Sequence, residues 1–210
     1  MGNRKPLLGG LMAVGGIAGL YNWMGRPVMY NWGATDEEVN AELPGDELVQ
    51  PGAVRTTRGI TVAAPPAAIW PWLAQIGEDR GGFYSYDWLE RLVGTRIHNA
   101  DTVHPEWQQL NVGDTVWLAR RYGRNGSQVV AAVEPESHLV LMSHADFERV
   151  QRGEKAIASW AFYLRPQNGT TRLLARGTGG VAGMAFFDIP HFVMERGMLR
   201  GLRKRATVVR

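Results

Sequence analysis

Gly81-Gly-Phe-Tyr-Ser-Tyr-Asp-Trp-Leu-Glu90 is the stretch on which the reading of this chain turns. Aromatic and polar residues interleave there more densely than a helix stripe or a sheet face requires. The same texture continues through Ile97-His-Asn-Ala-Asp101, Pro105-Glu-Trp-Gln108 and Val112-Gly-Asp114. Immediately upstream, Thr57 to Val62 reads as a first strand. Ala64-Pro-Pro66 ends it and opens a helix, because proline suits a first helical turn. Ile69, Trp72, Leu73 and Ile76 then recur on one face at helical spacing. Ser85 to Val93 reads as a second helix with Trp88, Leu89 and Leu92 inward.

Downstream, five strand-like runs follow: Thr115 to Arg120, Gln128 to Val133, Leu139 to Ser143, Ala156 to Leu164 and Thr170 to Arg176. Asn125-Gly126 and Asn168-Gly169 are hairpin turns between pairs of these runs, so the sheet is expected to be antiparallel. A last long helix is expected from an N-cap at Asp188 to about Ala206. At 100° per residue its apolar side carries Met194, Met198, Leu202, Leu199 and Phe192, and its basic side carries Arg196, Arg200, Arg203 and Lys204. His191 and Glu195 fall within the apolar sector four residues apart, so imidazole and carboxylate can meet on the buried face.

Together with Ile60-Thr-Val62, Ala64-Pro-Pro66 and Trp70-Pro-Trp-Leu73, these stretches resemble the START-like superfamily, the polyketide cyclase/dehydrase and lipid-transport group, and specifically its actinobacterial-type members of unassigned function. The resemblance covers residues 55 to 206. It implies an α+β helix-grip: a curved antiparallel sheet of about six to seven strands wrapped around a long C-terminal helix, with two short helices after the first strand. It also implies an apolar cavity between sheet and helix. Carriers, cyclases, hydrolases and receptors share such a fold, so it does not fix function.

On that fold Trp117, Trp160 and Phe162 are expected to line the cavity from the strands, with Phe187, His191, Met194 and Met198 closing it from the helix. The resemblance places Phe83 to Trp88 beside the mouth, where Tyr84, Tyr86, His98 and Trp107 offer hydroxyl, imidazole and indole groups to a ligand. The expected function is binding of an apolar small molecule, lipid-like or polyketide-like. The alternatives are a cyclase, dehydratase or hydrolase with His191 as general base oriented by Glu195, and a structural domain whose core is filled by its own side chains.

Composition narrows the chemistry. There is no cysteine, which excludes disulfides, thiolate nucleophiles and zinc-thiolate sites. The net charge of +3 is mild, and the basic residues gathered on the last helix read as a solvated face, so no nucleic-acid partner is expected. Gly177-Thr-Gly-Gly-Val-Ala182 fits a dinucleotide-binding fingerprint, but no further strand with an acidic residue follows it, and no cofactor is expected. Ser143-His-Ala-Asp146 holds triad residue types on what reads as a strand end, where neighbours face opposite ways. His98, Asp101, His104 and Glu106 lack helical metal-ligand spacing, and no metal is expected.

The N-terminal region divides in two. Arg4 and Lys5 precede an 18-residue run from Leu7 to Met24 that is apolar but for Asn22, close to the ~20 residues that span a bilayer. Residues 1–26 are therefore expected to form a membrane anchor with the domain on the extracytoplasmic side; a cleaved signal and a helix lying on the domain are the alternatives, which leave the protein secreted or cytoplasmic. Residues 27–56 read as an extended arm with one short helix capped by Thr35 to Glu38, and residues 57–210 as the ligand-binding domain. The oligomeric state is left open.

Overall fold

A computed structural model describes residues 21–208 apart from 93 and 96. One six-stranded open sheet carries the fold, in the order β1-β6-β5-β4-β3-β2. Its strands are β1 (Arg55–Val62), β2 (Thr115–Trp117), β3 (Ser127–Glu134), β4 (His138–Met142), β5 (Ser159–Gln167) and β6 (Thr170–Thr178). The described α-helices are α1 (Arg26–Tyr30), α2 (Asp36–Asn40), α3 (Pro66–Ala74), α4 (Asp87–Leu92), α5 (His144–Gln151) and α6 (Ala185–Thr207). Every strand pair is antiparallel. A bulge between Val130 and Ala132 shifts the β3–β4 register, a device that bends a sheet toward a partner element. The antiparallel sheet and the long C-terminal helix make an α+β helix-grip.

The β5–β6 hairpin closes as its sequence demands: Asn168 and Gly169 take φ of 46° and 79°, the left-handed pair a two-residue turn needs. Asn125-Gly126 does not form such a turn. The β2–β3 link is a 3₁₀ segment, Arg120–Gly126, whose last carbonyl accepts the amides of Leu118 and Ala119 at 2.8 Å each.

Alternation along the strands sorts side chains between two faces. Ile60, Val62, Phe162 and Leu173 pack inward with Ile69 and Leu73 of α3 and Leu199 and Leu202 of α6. Each such buried side chain contributes roughly 1.5–3 kcal/mol. On the outer face, residues 33 to 50 lie across the sheet as a strap. Leu43 packs on Val140, Tyr163 and Leu174. Arg172 forks onto the Glu38 carboxylate, both bonds 2.7 Å, and buried Arg176 donates to the carbonyls of Glu38, Val39 and Ala41 and to Asp46. The capping box of Thr35 and Glu38 is present as expected.

Several local expectations are corrected. Ser143 is not a strand end but the N-cap of α5, its Oγ accepting the Asp146 amide at 3.1 Å. Asp188 is not the N-cap of α6, which begins at Ala185; it sits in the first turn, where a carboxylate also suits the helix dipole. Trp88 does not face inward and is 64% exposed.

The membrane-anchor expectation is also corrected. Among the described residues no helix is long and apolar enough to cross a membrane. The end of the expected span, from Tyr21, forms a π-helical turn (Tyr21–Gly25) that runs into α1, and the Tyr21 hydroxyl donates to Asp188 of α6 at 2.8 Å. Residues 1–20, which hold the remainder of that span, lie outside the described residues.

Candidate functional site

The inner face of the sheet and α6 do not meet along their whole length. Between them lies a cavity of about 710 Å³, within the size range of small-molecule sites. Trp160 and Gly177 form part of its floor on β5 and β6. Met194 and Met198 form part of its roof on α6. Phe83 and Ile97 close one side, and Ile157 and Val181 rim the other.

Gly177 decides how close the helix comes. It pairs with Trp160 on one side and Thr56 on the other, and a Cβ there would stand 3.0 Å from the Thr56 Oγ1 and 3.5 Å from the His191 Cε1. The missing side chain leaves the imidazole room to lie over the strand.

One wall of the cavity is charged. Glu195, on the inward side of α6, is buried. Its Oε2 accepts from the Arg58 Nη1 at 2.6 Å, and its Oε1 accepts from the Trp160 indole at 2.7 Å. His191 Nε2 lies 3.6 Å from the same Oε1. Arg58, fully buried on β1, also donates its Nε to the Met29 carbonyl at 2.7 Å, and its Nη1 is 3.5 Å from His191 Nδ1. Arginine is a donor only, so this contact favours the tautomer with Nδ1 bare and the proton on Nε2, toward Glu195.

Burial alone would raise the Glu195 pKa. Its partners His191 and Arg58 outweigh burial and bring it down to about 2. Of the three ionisable groups His191 is the most open to the cavity, its side chain 21% exposed against 1% for Glu195 and 0% for Arg58. Arg58 was not anticipated from sequence; a single arginine inside a strand reads as solvent-facing.

Opposite this wall Asp146 is committed to holding the chain. Its Oδ1 accepts the Ile157 amide at 2.7 Å and its Oδ2 the Ser143 hydroxyl at 2.8 Å, pinning the approach to β5 against α5. His144 turns away to Ser127, 2.9 Å from Nε2 to Oγ, so Ser143, His144 and Asp146 form no relay.

Trp160, His191, Met194 and Met198 thus meet at the cavity together with Glu195. The other anticipated residues lie elsewhere. Phe162 is in the core against Trp160, ring centroids 4.7 Å apart. Tyr84 is buried under Arg205 and edge-on to Trp72, with its hydroxyl on the Trp72 carbonyl at 3.0 Å. Tyr86 packs beside Gly197 of α6 and Trp117 lies under Arg120. His98 is exposed, Trp107 stacks on His104 outside the cavity, and Phe187 stands on the surface against Phe186.

No protein-family model matches the sequence, and no curated protein matches it. Among solved structures, several are similar over most of the chain at low identity. The Aha1 dimer from Colwellia psychrerythraea is 13% identical over 74% of this chain and 97% of its own, with a TM-score of 0.42. The Polyketide_cyc-like protein from Corynebacterium glutamicum is 15% identical over 76% and 93%, at 0.35. The AHSA1-like protein from Rhizobium etli is 18% identical over 76% and 86%, at 0.40. No activity is carried over from them.

Proposed function

We propose that this chain binds an apolar small molecule, lipid-like or polyketide-like, between sheet and α6, with the ligand's polar end at the exposed edge of His191. The observation that carries this reading is the open volume of about 710 Å³ with largely apolar walls, in which the Glu195 carboxylate is already paired with Arg58. A core filled by its own side chains leaves no such space. Catalysis by His191 and Glu195 has weaker support. Both Glu195 oxygens are taken by stronger donors, Arg58 and Trp160, which makes the carboxylate a fixed counter-charge and not a proton shuttle.

The test is titration of the full chain with the neutral fluorophore N-phenyl-1-naphthylamine. Wild type binds it saturably, and Met194→Trp, which fills space from the helix side, weakens binding at least about tenfold, or roughly 1.4 kcal/mol, while the protein remains folded. Absence of saturable binding by wild type refutes the reading.

A further inference from the structure

We propose that the cavity has a hinged entrance, the segment from Gly179 to Asp188, and that Tyr21, Arg26 and Tyr30 latch it in place. This rests on the binding reading above and adds how access to the site is controlled.

The segment joins β6 to α6 and supplies Gly179, Gly180, Val181 and Ala182 to the rim of the cavity. Gly179, Gly180 and Gly183 take φ of 63°, 59° and 93°, left-handed conformations that other residues rarely adopt, so the backbone is jointed at both ends of Val181-Ala182. Packing holds this segment poorly. Between Gly180 and Ile189 only Ala182 and Asp188 are buried, while Val181, Met184, Phe186 and Phe187 are 43%, 52%, 84% and 43% exposed. A segment with little buried apolar surface opens at low cost unless something else restrains it.

Apart from the Gly179 amide, which donates to the Val54 carbonyl at 2.8 Å, what restrains it is polar and comes from the other end of the chain. The Arg26 Nη2 donates to the Gly183 carbonyl at 2.8 Å, and the Gly183 amide donates to the Tyr30 hydroxyl at 2.9 Å. One turn into α6, Asp188 Oδ1 accepts from the Tyr30 hydroxyl at 2.7 Å, and Oδ2 accepts from the Tyr21 hydroxyl and the Arg26 Nε at 2.8 Å each. Tyr30 bridges both points, so the residue that grips the joint also grips the helix end. All three latch residues lie on one short piece of chain, and a movement of that piece releases the entrance as a unit. None of them lines the cavity, so the latch sets the rate of exchange with the ligand and leaves the ligand's contacts alone.

Two readouts on the full chain test this. In Tyr30→Phe, and in Arg26→Gln as a second variant, amide hydrogen exchange across residues 179–189 rises about tenfold, the effect of losing one hydrogen bond to a charged group. Association and dissociation of N-phenyl-1-naphthylamine both quicken several-fold while Kd changes less than about threefold, as expected when only a barrier is lowered. Tyr163→Phe removes a comparable hydrogen bond, 2.8 Å to the Pro44 carbonyl on the outer face, and changes neither readout. Unchanged exchange in both latch variants overturns the latch. Faster exchange with unchanged probe kinetics overturns the entrance. A wild type that binds no probe overturns the binding reading and the entrance with it, while exchange still reports separately whether the latch holds the segment.

Discussion

Glu195 carries its charge in the wall of an apolar cavity, and Arg58 is what keeps it there. A buried ion pair adds little net stability over an apolar pair, but breaking one is expensive because the survivor stays charged and unsolvated. Glu195→Gln leaves Arg58 in that position and is expected to lower unfolding free energy by about 3–5 kcal/mol. Arg58→Met combined with Glu195→Leu recovers much of that loss. Urea unfolding of the three proteins checks this, and a double variant no more stable than the single one refutes it. The same pair fixes an acid limit. The Glu195 pKa is lowered, from 4.5 to about 2, so its contribution is complete above about pH 4.5 and is lost as pH falls toward 2. That contribution amounts to about 3 kcal/mol, and wild type alone, not Glu195→Gln, is expected to lose it over this interval.

Among the elements, α6 is shaped by what it lacks. Gly197 and Gly201 stand four apart on the face toward residues 84–86. A Cβ on Gly201 would lie 2.0 Å from the Tyr84 carbonyl oxygen, and one on Gly197 2.8 Å from the Ser85 Oγ. The two glycines open a groove in the helix, and the Tyr84 backbone lies in it at a φ of 58°, a conformation costly for an aromatic residue and held by Arg205, Trp72 and Asn99 around it. Gly201→Ala is therefore expected to destabilise by about 1–3 kcal/mol despite alanine's better helix propensity. A variant that melts at or above the wild-type temperature refutes this account.

The same groove shows what sequence discloses and what it hides. All six strands were legible because alternation and turn chemistry are local. α5 was not read, although Ser143 and Asp146 carry a cap spacing, because the apolar run of β4 leads straight into it. Asp188 looked like a cap because its residue type and place before a helical pattern allow nothing finer. Gly197 and Gly201 gave no signal of their role, since the backbone they admit is more than 100 residues away in sequence. Tyr84 and Tyr86 sit in the stretch that decided the fold, yet they serve helix docking and not the cavity. Arg58 was invisible for the same reason, its partner Glu195 lying 137 residues further on.

For the molecule as a whole, the cavity is an unused source of stability. A ligand that binds only the folded state adds RT ln(1 + [L]/Kd), about 2.7 kcal/mol at a hundredfold excess over Kd. In a chain of this size that raises the melting temperature by roughly 5–10 °C. A thermal melt with and without saturating N-phenyl-1-naphthylamine checks it, and a shift that disappears in Met194→Trp assigns the effect to the space beneath α6.

The strap across the outer face also orders events during synthesis. Glu38 and Asp46 leave the ribosome early, but Arg172 and Arg176, which they hold, follow 134 and 130 residues later. Until β6 is made, the strap has carboxylates and free carbonyls but no guanidinium to receive. β5 and β6, joined by a two-residue turn, can pair as soon as they exist, whereas the strap must close a loop of more than 100 residues to reach them. The strap is thus made before β6 but is among the last elements to be placed. A nascent chain stalled before Arg172 is expected to be cut by protease within residues 33 to 50, and the released protein to be protected there.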